Sequence, residues 1–295
     1  MAYYEPADLS IFALVTREIQ VHELKLTGVK HKFTHIQSLR VESIVECMSI
    51  ATHKVSGNLL ICLGTQGART DESEIVIFEL DPKNEWEVFD SYRWVWRPEN
   101  PQPEARQGGP AAHRNRAKAE TPGITNILYK NGCGLVVTSF SGYIEIYDSV
   151  NTQLSVWNNR QRWTSKILRE CGSISAIDFS EEQDLLAFGG VSGVIHFIDQ
   201  TTKKHNGLIK AHHNQEIIML KFYDEQHQLI SVTLTGDVGL WDSQKMIKYQ
   251  VLKNSPNMLQ KFISSCTFYK PLGKIMLATT KVFNYQLCTD NNVQI

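Results

Sequence analysis

The chain has 295 residues, a hydrophobic content of 42% and a formal net charge of −1. These values allow a large buried core but do not fit a protein built around nucleic acid, because a phosphate backbone requires a clustered positive surface. The six cysteines form no C-x-x-C pair, and the apolar run at residues 9–15 is too short to span a membrane. No signal peptide is recognisable either, so we expect reduced thiols in a soluble protein inside the cell.

Short apolar runs separated by turn residues predict β-strands along most of the chain. Residues 10–16 and 19–24 form one predicted hairpin, and no convincing strand precedes it, so the first unit is expected to lack its inner strand. Five further units follow, and the last is short on its outer strand. Their predicted strands are 42–51, 59–63, 74–80 and 86–94; 124–129, 135–140, 143–147 and 153–157; 174–179, 185–188, 194–198 and 207–210; 217–222, 229–234, 238–241 and 247–252; and 262–268, 274–279 and 282–287.

The segment 97–123 interrupts this pattern, because it combines five prolines with almost no large apolar residues. Such a composition cannot bury enough surface to offset the entropy of ordering, so the segment is predicted to be a flexible insert. Its cations are Arg97, Arg106, Arg114, Arg116 and Lys118, against three glutamates. These charges suit either a contact with an acidic protein surface such as a microtubule wall or a solvated loop.

Three copies of one hairpin motif determine the predicted fold. They read SGYIEIYD at 141–148, SGVIHFID at 192–199 and TGDVGLWD at 235–242, and their terminal aspartates recur after 51 and then 43 residues. Glycine at the hairpin corner supplies the positive φ of a tight turn. The turn glycines are Gly142, Gly193 and Gly236, and the terminal aspartates are Asp148, Asp199 and Asp242. A period of about 40–45 residues with four strands per unit is typical of a propeller blade.

These motifs resemble the WD40 family, with Trp241-Asp242 as the one literal Trp-Asp pair. The copy at 211–242 matches the family pattern best, and the matching positions are Ile217, Leu220, Phe222, Gly236 and Leu240.

The family has a buried Asp-His-Ser-Trp network. In this sequence one position of that network is replaced, and another can be assigned in two ways. The family's Gly-His dipeptide corresponds either to Ala211-His212 or to His213. The family's Asp before the turn glycine is replaced by Ser141, Ser192 and Thr235. The network is therefore expected to be incomplete, and these blades are expected to depend more on packing.

Other motifs that could carry chemistry have simpler structural interpretations. The run Gly190 to Gly193 fails the G-x-S-x-G pattern, because its fifth position is Val194, and the turn joins two strands rather than a strand and a helix. The pair His212-His213 lacks further zinc ligands at a suitable spacing, so a corner histidine bonded within its own repeat is favoured. We predict no catalytic, cofactor-binding or metal-binding residues.

The resulting prediction is an all-β, WD40-like β-propeller with about six visible blades, six or seven when closed. Residues 1–295 form one domain interrupted by the insert at 97–123. Either the termini pair with each other, or another chain or a missing segment completes the ring, because open strand edges are rarely tolerated.

The predicted function is that of a non-catalytic protein-interaction scaffold. The block 210–242 and the hairpin Thr279-Thr280-Lys281 look like WD-repeat proteins of cilia and flagella. That resemblance implies a scaffold of the ciliary axoneme bound near doublet microtubules, with axonemal proteins and tubulin as candidate partners, and with neither nucleic acid nor membrane. The alternative is a cytoplasmic adaptor, such as a ubiquitin-ligase substrate receptor or a trafficking-complex subunit.

Overall fold

The structure, a computed structural model, describes residues 2–4, 9–14, 18–27, 30–53, 55–66, 73–96, 123–140, 142–147, 160–163, 172–202, 204–223, 227–252, 263, 265–269, 274–278, 282–287 and 293–294. All regular elements among these residues are β-strands, and they form six four-stranded antiparallel sheets. The sheets fall into two compact units, Met1–Thr164 and Ser165–Ile295. The all-β prediction is therefore confirmed.

The first unit contains sheets 1, 2 and 3, each built from four strands that are consecutive in the chain. Sheet 1 consists of β1 (Ala2–Tyr4), β2 (Leu9–Leu14), β3 (Glu18–Thr27) and β4 (Lys30–Arg40). Sheet 2 consists of β5 (Val45–Thr52), β6 (Leu59–Gln66), β7 (Ser73–Asp81) and β8 (Glu87–Trp96). Sheet 3 consists of β9 (Ile124–Lys130), β10 (Gly134–Ser139), β11 (Ile144–Tyr147) and β12 (Arg160–Trp163). The inner strand β5 lies between β1 and β9.

The second unit contains sheets 4, 5 and 6 with the same strand order. Sheet 4 consists of β13 (Ile174–Ser180), β14 (Leu185–Gly190), β15 (Val194–Asp199) and β16 (Lys204–Lys210). Sheet 5 consists of β17 (Ile217–Tyr223), β18 (Gln228–Thr233), β19 (Val238–Asp242) and β20 (Ile247–Leu252). Sheet 6 consists of β21 (Ser265–Tyr269), β22 (Lys274–Ala278), β23 (Val282–Leu287) and β24 (Val293–Gln294). The inner strand β17 lies between β13 and β21.

The middle strand β6 is apolar from Leu59 to Leu63 because both faces of its sheet are buried. On β6, Leu59, Ile61 and Leu63 pack toward sheet 1, and the alternate residues Leu60 and Cys62 pack toward sheet 3. Side chains of a strand alternate between its two faces, so a strand buried on both sides needs apolar residues at every position. Burying one such side chain fully contributes roughly 1.5–3 kcal/mol.

Three strands differ from the prediction. The first unit does have an inner strand, because Ala2–Tyr4 pairs with β2, but three residues are too few to give an alternating pattern. The strand β4 was missed because its sequence, KHKFTHIQSLR, is mostly polar. The outer strand of sheet 3 is Arg160–Trp163 rather than 153–157, which lies outside the described residues.

The sixth sheet agrees with the expectation of a short outer strand. Its outer strand, Val293–Gln294, has only two residues and pairs with the end of β23. The predicted insert at 97–123 lies outside the described residues except for Gly123. The assignment of residues 1–295 to a single domain, and the number of blades in a closed ring, stay predictions.

Candidate protein interface

One end of the second unit carries three loop segments that are joined by backbone hydrogen bonds. They are the hairpin 190–193, the loop 211–216 and the hairpin 233–237, and we call them together the loop face. The His212 N–H donates to the Gly193 carbonyl at 2.8 Å, and the Leu234 N–H donates to the Glu216 carbonyl at 2.8 Å. The loop 211–216 is therefore fixed to a hairpin on each side.

A buried polar network anchors the loop 211–216 to sheet 5. The Trp241 Nε1–H donates to Ser231 Oγ at 2.8 Å, and Ser231 Oγ shares a second hydrogen bond of 2.8 Å with His212 Nε2. The His212 ring meets the Trp241 ring edge-on, with centroids 5.6 Å apart. All three side chains are buried, whereas His213 is exposed. His212, rather than His213, is thus the corner histidine, an assignment that the sequence alone left open.

Burial lowers the pKa of His212 to about 4, and the negative charge of Asp237 opposes that shift. The ring is therefore neutral near pH 7, and its Nε2 can accept a hydrogen bond from the Ser231 hydroxyl while Ser231 Oγ accepts the Trp241 N–H. Thr235 still occupies the position of the family's Asp, as the sequence indicated. The His, Ser and Trp members of the network are nonetheless connected in this blade.

Gly193 allows the loop 211–216 to approach sheet 4 closely. Its φ is 70°, and a Cβ at this position would lie 1.6 Å from the His212 carbonyl oxygen. Any side chain here would push the loop away, in addition to straining the left-handed backbone. Gly190 of the same hairpin is equally constrained, because a Cβ would lie 1.8 Å from the Ser173 carbonyl oxygen.

The outward side of the loop face is mainly polar with one apolar position. Val191 of the hairpin 190–193 is 45% exposed, and His213 and Asn214 of the loop 211–216 are exposed as well. The Thr235 hydroxyl donates to Gln215 Oε1 at 3.2 Å, which orders the rim. A surface whose loops are already ordered loses little entropy on binding, so it suits recognition of a protein partner.

The terminal aspartates of the repeated motif lie at the opposite end of the second unit, and their hydrogen bonds explain why the residue recurs. Asp242 accepts the Lys245 N–H at 2.8 Å, the Gln244 N–H at 3.0 Å and the Tyr249 hydroxyl at 2.8 Å. Burial alone would raise the pKa of Asp242, but these hydrogen bonds outweigh it and the pKa is lowered. Asp199 accepts the Thr202 N–H at 2.6 Å, and mainly for that reason its pKa is lowered too. Each aspartate caps the turn that follows its strand.

A pair of histidines occupies sheet 4. His196 Nδ1 and His205 Nε2 are 3.3 Å apart, and the His196 ring stacks on Phe188 with centroids 5.3 Å apart. Burial, followed by the charge of His205, lowers the pKa of His196 to about 4. The ring contacts and the lowered pKa together indicate a neutral pair of rings that is packed within the sheet.

A buried carboxylate in the first unit also serves the packing of its sheets. Glu145 of sheet 3 accepts the Trp96 Nε1–H at 2.7 Å and the Tyr147 hydroxyl at 2.8 Å. Trp96 is the last residue of β8 in sheet 2, so the bond joins two neighbouring sheets. Glu145 is 2% exposed, and its polar atoms therefore contribute to the core rather than to the surface.

The predicted site residues are placed as follows. Gly142, Gly193 and Gly236 have φ values of 77°, 70° and 91°, as tight hairpin corners require. Trp241 and Asp242 are buried at the end of β19. Asp148 lies outside the described residues, and so do the cations of the insert, which are Arg97, Arg106, Arg114, Arg116 and Lys118.

Three structural residues were missed from the sequence. Ser231 lies at the centre of the network, and its only signal is a hydroxyl inside the apolar run of β18. Gly239 leaves room for Trp241, because a Cβ there would lie 2.5 Å from the indole ring. Asp81 is the last residue of β7 and accepts the Lys83 N–H at 2.8 Å, so it is a further terminal aspartate. Its signal in the sequence is its position at the end of an apolar run.

The described residues contain neither a membrane-spanning helix nor a cluster of metal ligands. No helix there is long and apolar enough to cross a membrane. Within the same residues, no three side chains of His, Cys, Asp or Glu are grouped as a metal site would require.

Comparison with known proteins gave matches at the level of structure. No protein-family model matches the sequence, and no curated protein matches it significantly. The crystal structure of Chaetomium thermophilum Sqt1 superposes with a TM-score of 0.64 at 13% identity, covering 95% of this chain and 66% of Sqt1. Sqt1 bound to the N-terminus of the ribosomal protein L10 gives a TM-score of 0.61 at 14% identity, covering 92% of this chain and 66% of that one.

A chain of the mitotic checkpoint complex gives a TM-score of 0.64 at 11% identity, covering 97% of this chain and 73% of its own length. This chain therefore spans slightly less than two thirds of the Sqt1 structures. At such identities the likeness concerns the fold alone. These structural neighbours are WD40 β-propeller proteins, and this chain has their all-β propeller fold.

Proposed function

We propose that this chain is a non-catalytic scaffold that binds protein partners through the loop face of its second unit. The observation that carries the proposal is the anchoring of loop 211–216 by His212, Ser231 and Trp241. The buried network holds a solvent-exposed loop in one conformation, which is what an interaction surface needs and what a passive connection does not require. Structural neighbours that bind proteins support it, since Sqt1 binds the N-terminus of ribosomal protein L10.

We further propose that the scaffold works in the ciliary axoneme, near doublet microtubules. The support is the resemblance of residues 210–242 and of the hairpin Thr279-Thr280-Lys281 to ciliary WD-repeat proteins. The cations of the insert at 97–123 would add a salt-sensitive contact to the acidic wall of the microtubule. Axonemal proteins and tubulin are then the partners.

The second candidate is a cytoplasmic adaptor. The comparisons favour it in one respect, because the neighbours come from a complex with a ribosomal protein and from the mitotic checkpoint complex. The same loop face would serve either role, so the two candidates differ in partner and location rather than in the surface used.

Fractionation of ciliated cells that express the tagged chain tests both levels of the proposal. We expect the chain to stay with axonemes after a salt wash, and Val191→Asp to reduce its retention. Leu208→Asp is the matched control, because Leu208 is a similarly exposed apolar residue that lies on β16 and not in the loop face. A stable cytosolic complex in cells without cilia would overturn the axonemal setting. Equal retention of both variants and the parent would overturn the loop face as the binding surface.

A further inference from the structure

The outer strand β8 of sheet 2 has an open backbone edge. Among the described strands, β8 forms hydrogen bonds only with β7, so the amides and carbonyls on its other side have no strand partner. Open edges of this kind can pair with another chain, and natural proteins usually protect them. Between Glu87 and Ser91 this edge has neither a proline nor a lysine, although the Ser91 N–H already donates to Asp90 Oδ1 at 2.7 Å.

Two adjacent apolar side chains of this strand are exposed. Val88 is 39% exposed and the adjacent Phe89 is 66% exposed. The register with β7 shifts here: Asp90 pairs with Glu79 and Val88 pairs with Leu80, which leaves Phe89 as the extra residue of a β-bulge. Bulges redirect side chains and often lie beside functional sites.

The equivalent bulge of sheet 5 has a different arrangement. Tyr249 is the extra residue of β20, and its hydroxyl donates to Asp242 of the same sheet at 2.8 Å. Phe89 has no polar atom with which to make such a bond, and it projects into solvent. The bulge of sheet 5 thus contributes to its own blade, whereas the bulge of sheet 2 presents an aromatic side chain at an open edge.

The charges around this edge define the chemistry of a partner. Residues 81–91 include four carboxylates, and Lys83 is the single cation of that stretch. The nearby Arg93 is already engaged, since its guanidinium donates to Glu42 and to Glu74 at 2.6 Å each. The carboxylates are Asp81, Glu85, Glu87 and Asp90. An approaching segment with lysine or arginine side chains would be attracted, and an acidic one repelled.

We propose that the edge of β8 at residues 87–91 binds an extended, basic segment of a partner protein as a fifth strand of sheet 2. Main-chain hydrogen bonds supply the affinity of such strand addition, and alternate side chains supply specificity. Apolar residues of the segment contact Val88 and Phe89, and basic residues face Glu87 and Asp90. The proposal rests on the scaffold function above only in that both involve protein partners.

A second copy of this chain is a poorer occupant. Pairing two β8 edges would bring the Glu87 and Asp90 carboxylates of both copies into one short stretch, and like charges on neighbouring strands destabilise a sheet. The edge spans only five residues, or about 17 Å at the usual strand rise, so we expect reversible binding.

The probe for the test is a fluorescent seven-residue peptide of alternating lysine and valine, with an alternating glutamate and valine peptide as its acidic counterpart. We expect the basic probe to bind the full chain and to slow amide exchange at residues 87–91. Phe89→Ala should weaken binding about tenfold, and Glu87→Gln with Asp90→Asn should remove most of its salt dependence. Leu208→Ala on β16 is the matched control and should bind as the parent does. These side chains are exposed, and Asp90→Asn keeps an amide oxygen for the Ser91 N–H and loses only the exposed bond from the Tyr92 hydroxyl, so the variants should melt close to the parent.

Backbone pairing is tested by methylating alternate amides of the basic probe, which removes hydrogen bonds on one side of the peptide at a time. One methylated series should lose binding and the other should keep it. The proposal is overturned if both series bind equally, if the acidic probe binds as well as the basic one, or if protection falls outside β8. It is also overturned if sedimentation shows self-association that Phe89→Ala abolishes, since the occupant would then be a second copy. Loss of retention in Val191→Asp concerns the loop face alone, so failure of one proposal can be distinguished from failure of the other.

Discussion

Replacing Ser231 with alanine tests the network that fixes the loop face. Ser231 is fully buried, and its hydroxyl makes both the bond to the Trp241 N–H and the bond to His212 Nε2. Ser231→Ala leaves two buried polar atoms without that partner, and each such loss costs about 1–3 kcal/mol. Because Trp241 and His212 also touch each other, we expect less than the full sum, roughly 2–4 kcal/mol.

Urea unfolding followed by far-ultraviolet circular dichroism measures this loss without relying on tryptophan fluorescence. Ser192→Ala is the control, because its hydroxyl is only partly buried and accepts a single longer bond, 3.3 Å from the Val194 N–H. We expect that variant to lose less than about 1 kcal/mol. The difference between the two serines isolates the buried network from a general effect of losing a hydroxyl.

A double-mutant cycle separates the two bonds. Trp241→Phe keeps an aromatic ring but removes the N–H, so Ser231→Ala should cost about 1 kcal/mol less in that background than in the parent. If Ser231→Ala unfolds within about 0.5 kcal/mol of the parent, the network does not support the loop, and the reasoning that links it to an interaction surface is refuted.

The remaining predictions concern the same blades. Trp241→Ala should lose roughly 3–5 kcal/mol of stability, since Trp241 is 1% exposed, and Gly236→Val should also destabilise because φ is 91° there; unchanged urea midpoints for both would contradict the assigned register. Gly193→Ala should be about 1–3 kcal/mol worse than Gly57→Ala, because both glycines have positive φ but only Gly193 faces a backbone oxygen; equal midpoints would show that the loop can shift freely. Burial lowers the pKa of His196 and His212 to about 4, below the value near 6.5 of an unfolded chain, so the unfolded state binds more protons between these values. The stability from these two rings is complete above about pH 6.5 and is lost as pH falls toward 4, and His212→Gln should flatten urea midpoints measured from pH 7 to pH 4.5 relative to the parent.

The sequence predicted those strands and hairpins whose signals come from a few adjacent residues. The hairpins around Gly142, Gly193 and Gly236 combine a turn glycine with flanking apolar runs, so they could be recognised from a few adjacent residues. β1 and β4 have no such signal, because one has three residues and the other is mostly polar. Their place in sheet 1 follows from pairing with β2 and β3, which a local pattern cannot show.

The candidate interface was less accessible to sequence reasoning. His212 and His213 are adjacent and chemically identical, and only the contact with Ser231 distinguishes them. Ser231 itself looks like an ordinary polar residue in a strand until its register places it between a histidine and a tryptophan. The exposure of Val191 and Phe89 depends on which faces are covered by neighbouring sheets, and that too is a property of the assembled unit.

The way these sheets are buried limits where partners can be recognised. Strands such as β6 and β18 are covered on both faces, so their side chains cannot vary without disturbing two neighbours. The buried carboxylate of Asp178 illustrates the same limit, because it accepts the Phe222 N–H at 2.9 Å and the Lys221 ammonium at 3.1 Å and so joins sheets 4 and 5. Both proposed binding surfaces accordingly lie outside these covered faces, one in loops at the sheet ends and one on an outer strand. The loop face offers ordered polar groups and the β8 edge offers apolar side chains among carboxylates, so two chemically different partners could bind without competing for the same residues.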